Sequence, residues 1–168
     1  MDRFPAAAAR ADAMSGPTLV VLPPAGVVAC EPDIQAATST VFLLRNRRKP
    51  GNFIMASVGV QTGNFSYHVQ NLPKDGTGCP GRWLVQLAWE HFLRQGCAIA
   101  GIRGEWIFGD NLDQVNALTQ RGGMSVEDAA RQTWSAARAA ERGMRTLAVL
   151  AADGTPGQYR SIDVLFTP

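Results

Sequence analysis

The sequence predicts an α+β domain, with an antiparallel or mixed sheet and its helices packed on one face. Three observations carry this. β-branched and aromatic runs crowd residues 39–71 and return at 146–166, and the helical patterns lie between them. Turn-rich segments, Gln61-Thr62-Gly63 and Asp153-Gly154-Thr155-Pro156-Gly157, join neighbouring runs as hairpins, which implies antiparallel pairing. The expected order is β-β-β-α-β-α-α-β-β.

Taken along the chain, residues 1–17 are Ala-rich and weakly patterned, a tail or loose helix. TLVVL at 18–22 is a candidate edge strand stopped by Pro23 and Pro24, and 23–38 reads as loop. A single α+β domain is therefore expected over 39–168. Strands are expected at 39–47, 52–60 and 64–71. In the last of these Phe65, Tyr67 and Val69 share one parity and Ser66, His68 and Gln70 the other, so one face is core and the other polar. A helix begins near Pro80 and stops at Gly96, and its abundance of Trp, Leu and Phe predicts burial against the sheet. A strand follows over 97–108. Asp110 is the expected cap of a short helix ended by Gly122-Gly123. Ser125 is the N-cap of a single longer helix ending at Gly143, with Asp128 three residues on. Strands at 146–151 and 159–166 close the domain.

Length and composition narrow the function classes. The 168 residues suit one domain with a real core, and 46% hydrophobic with 18% charged residues is a globular balance. A net charge of +2 does not by itself imply nucleic acid or an anionic membrane, so any basic patch must be local, such as Arg45, Arg47, Arg48 and Lys49. Cys30, Cys79 and Cys97 have no paired spacing, so neither a disulfide framework nor a zinc ribbon is expected. Two histidines leave little for a metal site, and no cofactor is implied. No apolar run approaches the roughly 18 residues of a membrane span, and the N-terminus lacks the pattern of a signal peptide.

Chemistry is expected first on the polar strand faces. Arg103 and Glu105 lie two apart between apolar flanks, opposite in parity to Ile102 and Trp106. If that strand neighbours the one bearing His68, then a His, a Glu and an Arg share an open face. Metal-independent RNA cleavage uses that set: His68 and Glu105 exchange the protons and Arg103 holds the phosphate. Arg45, Arg47 and Arg160 would steer the backbone inward, and Trp106 or Tyr159 would stack a base. The bland alternative is an Arg–Glu pair serving solubility and cross-strand pairing.

A second constellation centres on Cys79. It precedes Pro80 at the start of an apolar helix, where the helix dipole favours the thiolate. With His68 as base it would make a thiol enzyme: a deamidase, acyltransferase or peptidase. The bland alternative is a half-buried Cys before a helix. His91 reads as structural, and Trp83, Trp89 and Trp134 as core. Asp110 and Asn111 read first as helix-capping residues and second as a substrate-gripping pair.

The segments Ile102-Arg103-Gly104-Glu105-Trp106, Gly109-Asp110-Asn111-Leu112, Val115-Asn116, Ala129-Ala130-Arg131-Gln132-Thr133-Trp134 and Pro156-Gly157-Gln158-Tyr159 resemble the C-terminal toxin domains of bacterial polymorphic toxins, of the Rhs and contact-dependent kinds. The resemblance covers roughly residues 97–168. It implies an enzyme delivered to a target-cell cytoplasm, commonly a nuclease, with an immunity protein as partner. It does not specify the reaction. The expectation is a toxin-like enzyme that cleaves RNA without metal. The alternatives are a Cys79–His68 thiol enzyme and a non-catalytic binding module.

Overall fold

The computed structural model describes residues 30–72, 75 and 77–168. The expectations for residues 1–17 and for the edge strand at 18–22 lie outside the described residues. The chain builds, in order, β1 (Pro32–Ala37), β2 (Val41–Asn46), β3 (Asn52–Val58), β4 (Asn64–Asn71), α1 (Gly81–Arg94), β5 (Gly101–Trp106), α2 (Asp110–Gly122), α3 (Val126–Arg131), α4 (Trp134–Ala140), β6 (Thr146–Asp153) and β7 (Ser161–Thr167). All seven strands among the described residues belong to one mixed sheet, ordered β1-β2-β3-β4-β5-β7-β6. The fold is α+β.

Three elements differ from the sequence pattern. β1 lies where a loop was expected. Its sequence PDIQAA has little strand character, but among the described residues it is an edge strand that pairs only with β2, and it opens on Pro32, where the missing N–H costs least. The single helix expected after Ser125 is two. Ser125 caps α3, its Oγ accepting from Asp128 N, and Thr133 caps α4, accepting from Ala136 N. The second cap restarts the helix in a new direction. The helix expected at Asp110 starts after Gly109, whose φ of 88° no side-chain-bearing residue adopts readily, so Asp110 is its first residue and not its cap.

α1 is buried through Leu84, Val85, Ala88, His91 and Phe92. Gly96, at φ 76°, ends it: Cys97 N donates to Phe92 O and Gly96 N to Leu93 O. Its rings meet β4, with Phe65 edge-on to Trp89 and Phe92. Phe42, Leu44 and Ile54 are wholly buried on the same side, each contributing roughly 1.5–3 kcal/mol by leaving water. His91 is structural, as its position suggested: Nε2 lies 2.7 Å from Thr38 O, and the ring rests against Phe42 and Phe92.

The expectation of no disulfide is overturned: Cys30 and Cys79 are bonded to each other. Their separation of 49 residues hid the pairing, because spacing along the chain says nothing of proximity once four strands intervene. Beside the bond lies a buried amide pair. Asn46 Nδ2 donates to Asn52 Oδ1 at 3.1 Å, and Asn46 Oδ1 accepts from Glu31 N and Arg48 N, both at 3.1 Å.

Candidate functional site

Among the described residues the ladder has one parallel pair, β4 with β5, and it holds for only two positions, Asn64 with Gly101 and Phe65 with Ile102. The pinched end needs small residues. A Cβ on Gly101 would meet Phe166 O at 2.9 Å and Asn64 Oδ1 at 3.2 Å. Past Phe65 and Ile102 no ladder pair joins the strands. A pocket of about 780 Å³ opens there, between residues 67–72 on one side and 102–111 on the other. Gly81 in the first turn of α1, Trp134 and Ser135 at the start of α4 and Phe166 of β7 complete its wall. It lies at the carboxyl ends of the two parallel strands, where ligands of open sheets with crossover helices bind.

Alternation fixes what each strand offers. Asn64 O accepts from Gly59 N, and Leu72 N reaches Gly51 O, both on the β3 side. The odd-numbered residues between them, Tyr67 and Val69 among them, therefore turn N–H and C=O toward the gap. Side chains alternate across the sheet instead. Because Phe65 stands beside Ile102, residues 66 and 68 share the open face with Arg103 and Glu105.

His68, Arg103, Glu105, Trp106, Asp110 and Asn111 all line this pocket. His68 stacks on Phe53, with ring centroids 5.5 Å apart and planes 6° apart, and its other neighbour is Phe108 at 5.7 Å. Arg103 is engaged: its Nε donates to Asp163 Oδ1 at 3.0 Å and its Nη2 to Asp163 Oδ2 at 2.6 Å. That bond holds the guanidinium pKa above its usual value. Asn111 Nδ2 donates to Ser135 Oγ at 2.7 Å, tying the start of α2 to the start of α4.

Other expected site residues stand elsewhere. Cys79 is disulfide-bonded and fully buried, so it has no free thiol to act as nucleophile. Trp106 lines the pocket from the core side and is only 6% exposed, which removes the expected stacking platform. Tyr159 is held outside the pocket by Asn116, whose Oδ1 accepts from Tyr159 N and whose Nδ2 donates to Tyr159 O. Arg45 lies over the Phe53 ring and Arg47 pairs with Asp33, and neither borders the pocket. Arg160 pairs with Asp153 at the far hairpin.

Sequence reasoning passed over Tyr67, Phe108, Trp134 and Ser135, which all line the pocket. Tyr67 looked like core by parity. Burial raises its phenol pKa, opposed by Ser135 and by the guanidinium groups of Arg142 and Arg138. The one signal in the sequence was Thr133 before Trp134-Ser135, a cap that ends one helix and aims the next at the gap.

No family model matches this sequence, and no curated protein matches it. Among solved structures the chain is similar to a nourseothricin acetyltransferase, at 12% identity and a TM-score of 0.37. The match covers 76% of this chain and 65% of that protein's length. A likeness this weak carries no argument about function.

Proposed function

We propose that the chain is an acyltransferase whose donor lies in the gap between β4 and β5. The observation that carries this reading is the gap itself, in the middle of a seven-stranded sheet. Strand edges that part inside a sheet leave backbone N–H and C=O groups facing each other, and such groups call for partners. The fitting occupant is an extended chain with amides of its own, added as a strand would be. The N-terminus of α1 borders the same pocket with no acidic residue in its first turn, which favours an anionic end on that occupant. A phosphopantetheine-type carrier has both features, and it presents an acyl thioester.

The chemistry falls to Glu105, with His68 lining the same pocket. The nitrogen of an acceptor amine attacks the thioester carbonyl, a C–N bond forms and the C–S bond breaks. Glu105 takes the proton from the nitrogen. The departing thiolate is protonated from solvent. This keeps the acyl-transfer alternative raised by the sequence and discards its Cys79 nucleophile.

The test uses acetyl-coenzyme A as donor with a panel of small amines and basic proteins, following thiol release. Release should depend on the acceptor and fall by a factor of about 100 in Glu105→Gln. Absence of both thiol release and donor binding at millimolar acetyl-coenzyme A would end the reading.

A second reading, RNA cleavage by a toxin-like enzyme, is favoured by His68, Glu105 and Arg103 lining one pocket. It is opposed by the pairing of Arg103 with Asp163, which already balances the charge a phosphate would need. Under this reading Arg103→Gln abolishes degradation of a structured RNA, and an immunity protein blocks it by covering the pocket.

A further inference from the structure

We infer that Asp163 is a positioning residue that keeps the Glu105 carboxylate open by holding Arg103 away from it. This rests on the reading of Glu105 as the base. Arg103 and Glu105 leave β5 on the same face with one residue between them. In the β5–β7 ladder Glu105 stands opposite Asp163, and Arg103 opposite Leu165. The guanidinium therefore has two carboxylates within reach, one along its own strand and one diagonally across the ladder. Both of its bonds go to Asp163, at 3.0 and 2.6 Å, in the forked geometry that suits a guanidinium to a carboxylate. The Asp163 side chain is 19% exposed whereas Glu105 is an exposed residue, so the Asp163 charge is the less screened by water.

The arrangement also settles a conflict. Glu105 and Asp163 are like charges placed directly across a ladder, which is unfavourable. Arg103 beside them offsets that repulsion while leaving Glu105 unengaged by its fork. With Asp163 neutral, Glu105 becomes the carboxylate that Arg103 turns to. An ion pair there would occupy the lone pairs that receive the acceptor's proton.

The experiment has a catalytic arm and a substrate-free arm. Asp163→Asn should lower turnover roughly tenfold while KM for acetyl-coenzyme A stays within about twofold. Adding Arg103→Gln to Asp163→Asn should return turnover to within about threefold of the parent, and Asp163→Glu alone should retain it. A double variant no more active than Asp163→Asn would overturn the inference, because a merely structural Asp163 is not rescued by removing its partner. In the substrate-free arm, the Arg103 Nε–H resonance should shift in Asp163→Asn and shift again when Glu105→Gln is added. No second shift means no capture by Glu105, and the inference falls. A second shift in a protein that transfers no acyl group leaves this arrangement standing and removes the acyltransferase reading instead.

Discussion

The side chain of Asn52 closes both backbone groups of Cys79. Its Oδ1 accepts from Cys79 N at 2.6 Å and its Nδ2 donates to Cys79 O at 2.9 Å. A β3 amide thus mimics a strand neighbour for the segment that leads into α1, and it does so with no exposure to water. Asn52→Leu would strand two backbone groups and remove one bond from Asn46 Nδ2. The expected loss is about 3 kcal/mol of unfolding free energy, read from urea midpoints at constant m-value. Asn52→Asp keeps the acceptor but sets a carboxylate oxygen against Cys79 O in a site closed to water, and should lose at least as much.

The bond between Cys30 and Cys79 works on the unfolded chain more than on the folded one. Cross-linking residues 49 apart removes loop entropy worth about 4 kcal/mol in the chain-entropy account. Cys30→Ser with Cys79→Ser should therefore lower the unfolding free energy by several kcal/mol, and dithiothreitol should lower the Tm of the parent but not of the variant. Acyl transfer per folded molecule should survive, since no cysteine of the chain enters the proposed chemistry. Its loss with the fold intact would return Cys79 to consideration.

Asp75 is linked to Lys49, whose Nζ lies 2.9 and 2.7 Å from its two carboxylate oxygens. The Lys49 ammonium, with Thr77, holds the Asp75 carboxyl well below the usual carboxylate range. The sign follows from the direction. A carboxyl depressed by folding adds stability that is complete above its unfolded value of 3.8 and is lost as pH falls toward the folded one. Parent and Asp75→Asn should therefore differ in Tm at pH 6, and the difference should narrow as the pH falls to 2. Equal separation at both pH values would contradict the linkage. The pair is exposed, so the difference should be small and shrink in high salt.

Gly104 sits under the Trp106 indole. A Cβ there would stand 2.7 Å from Trp106 Nε1 and 3.1 Å from Val164 Cγ2. Gly104→Ala should push the indole toward the pocket at a cost of about 1–3 kcal/mol. The check is a shifted Trp106 Nε1–H resonance with weakened binding of acetyl-coenzyme A. An unmoved resonance would mean that Val164 yields instead.

By itself the sequence determined the parts with local causes. The polar and apolar parities of residues 64–71 and 102–106, the burial of α1, its stop at Gly96 and the cap at Ser125 follow from side-chain alternation and from the conformations Gly and Ser favour. The open face shared by His68, Arg103 and Glu105 was legible for the same reason, once the two strands were taken as neighbours. Only the tertiary structure decided that they are parallel, and that they part after one close approach. It also decided that Asp163, 60 residues along the chain from Arg103, takes up the guanidinium. The same holds for Cys30 meeting Cys79 and for Trp134 and Ser135 reaching the pocket. These are relations between distant segments, set by sheet order and by which helix crosses which strand, and periodicity within a segment carries no record of them.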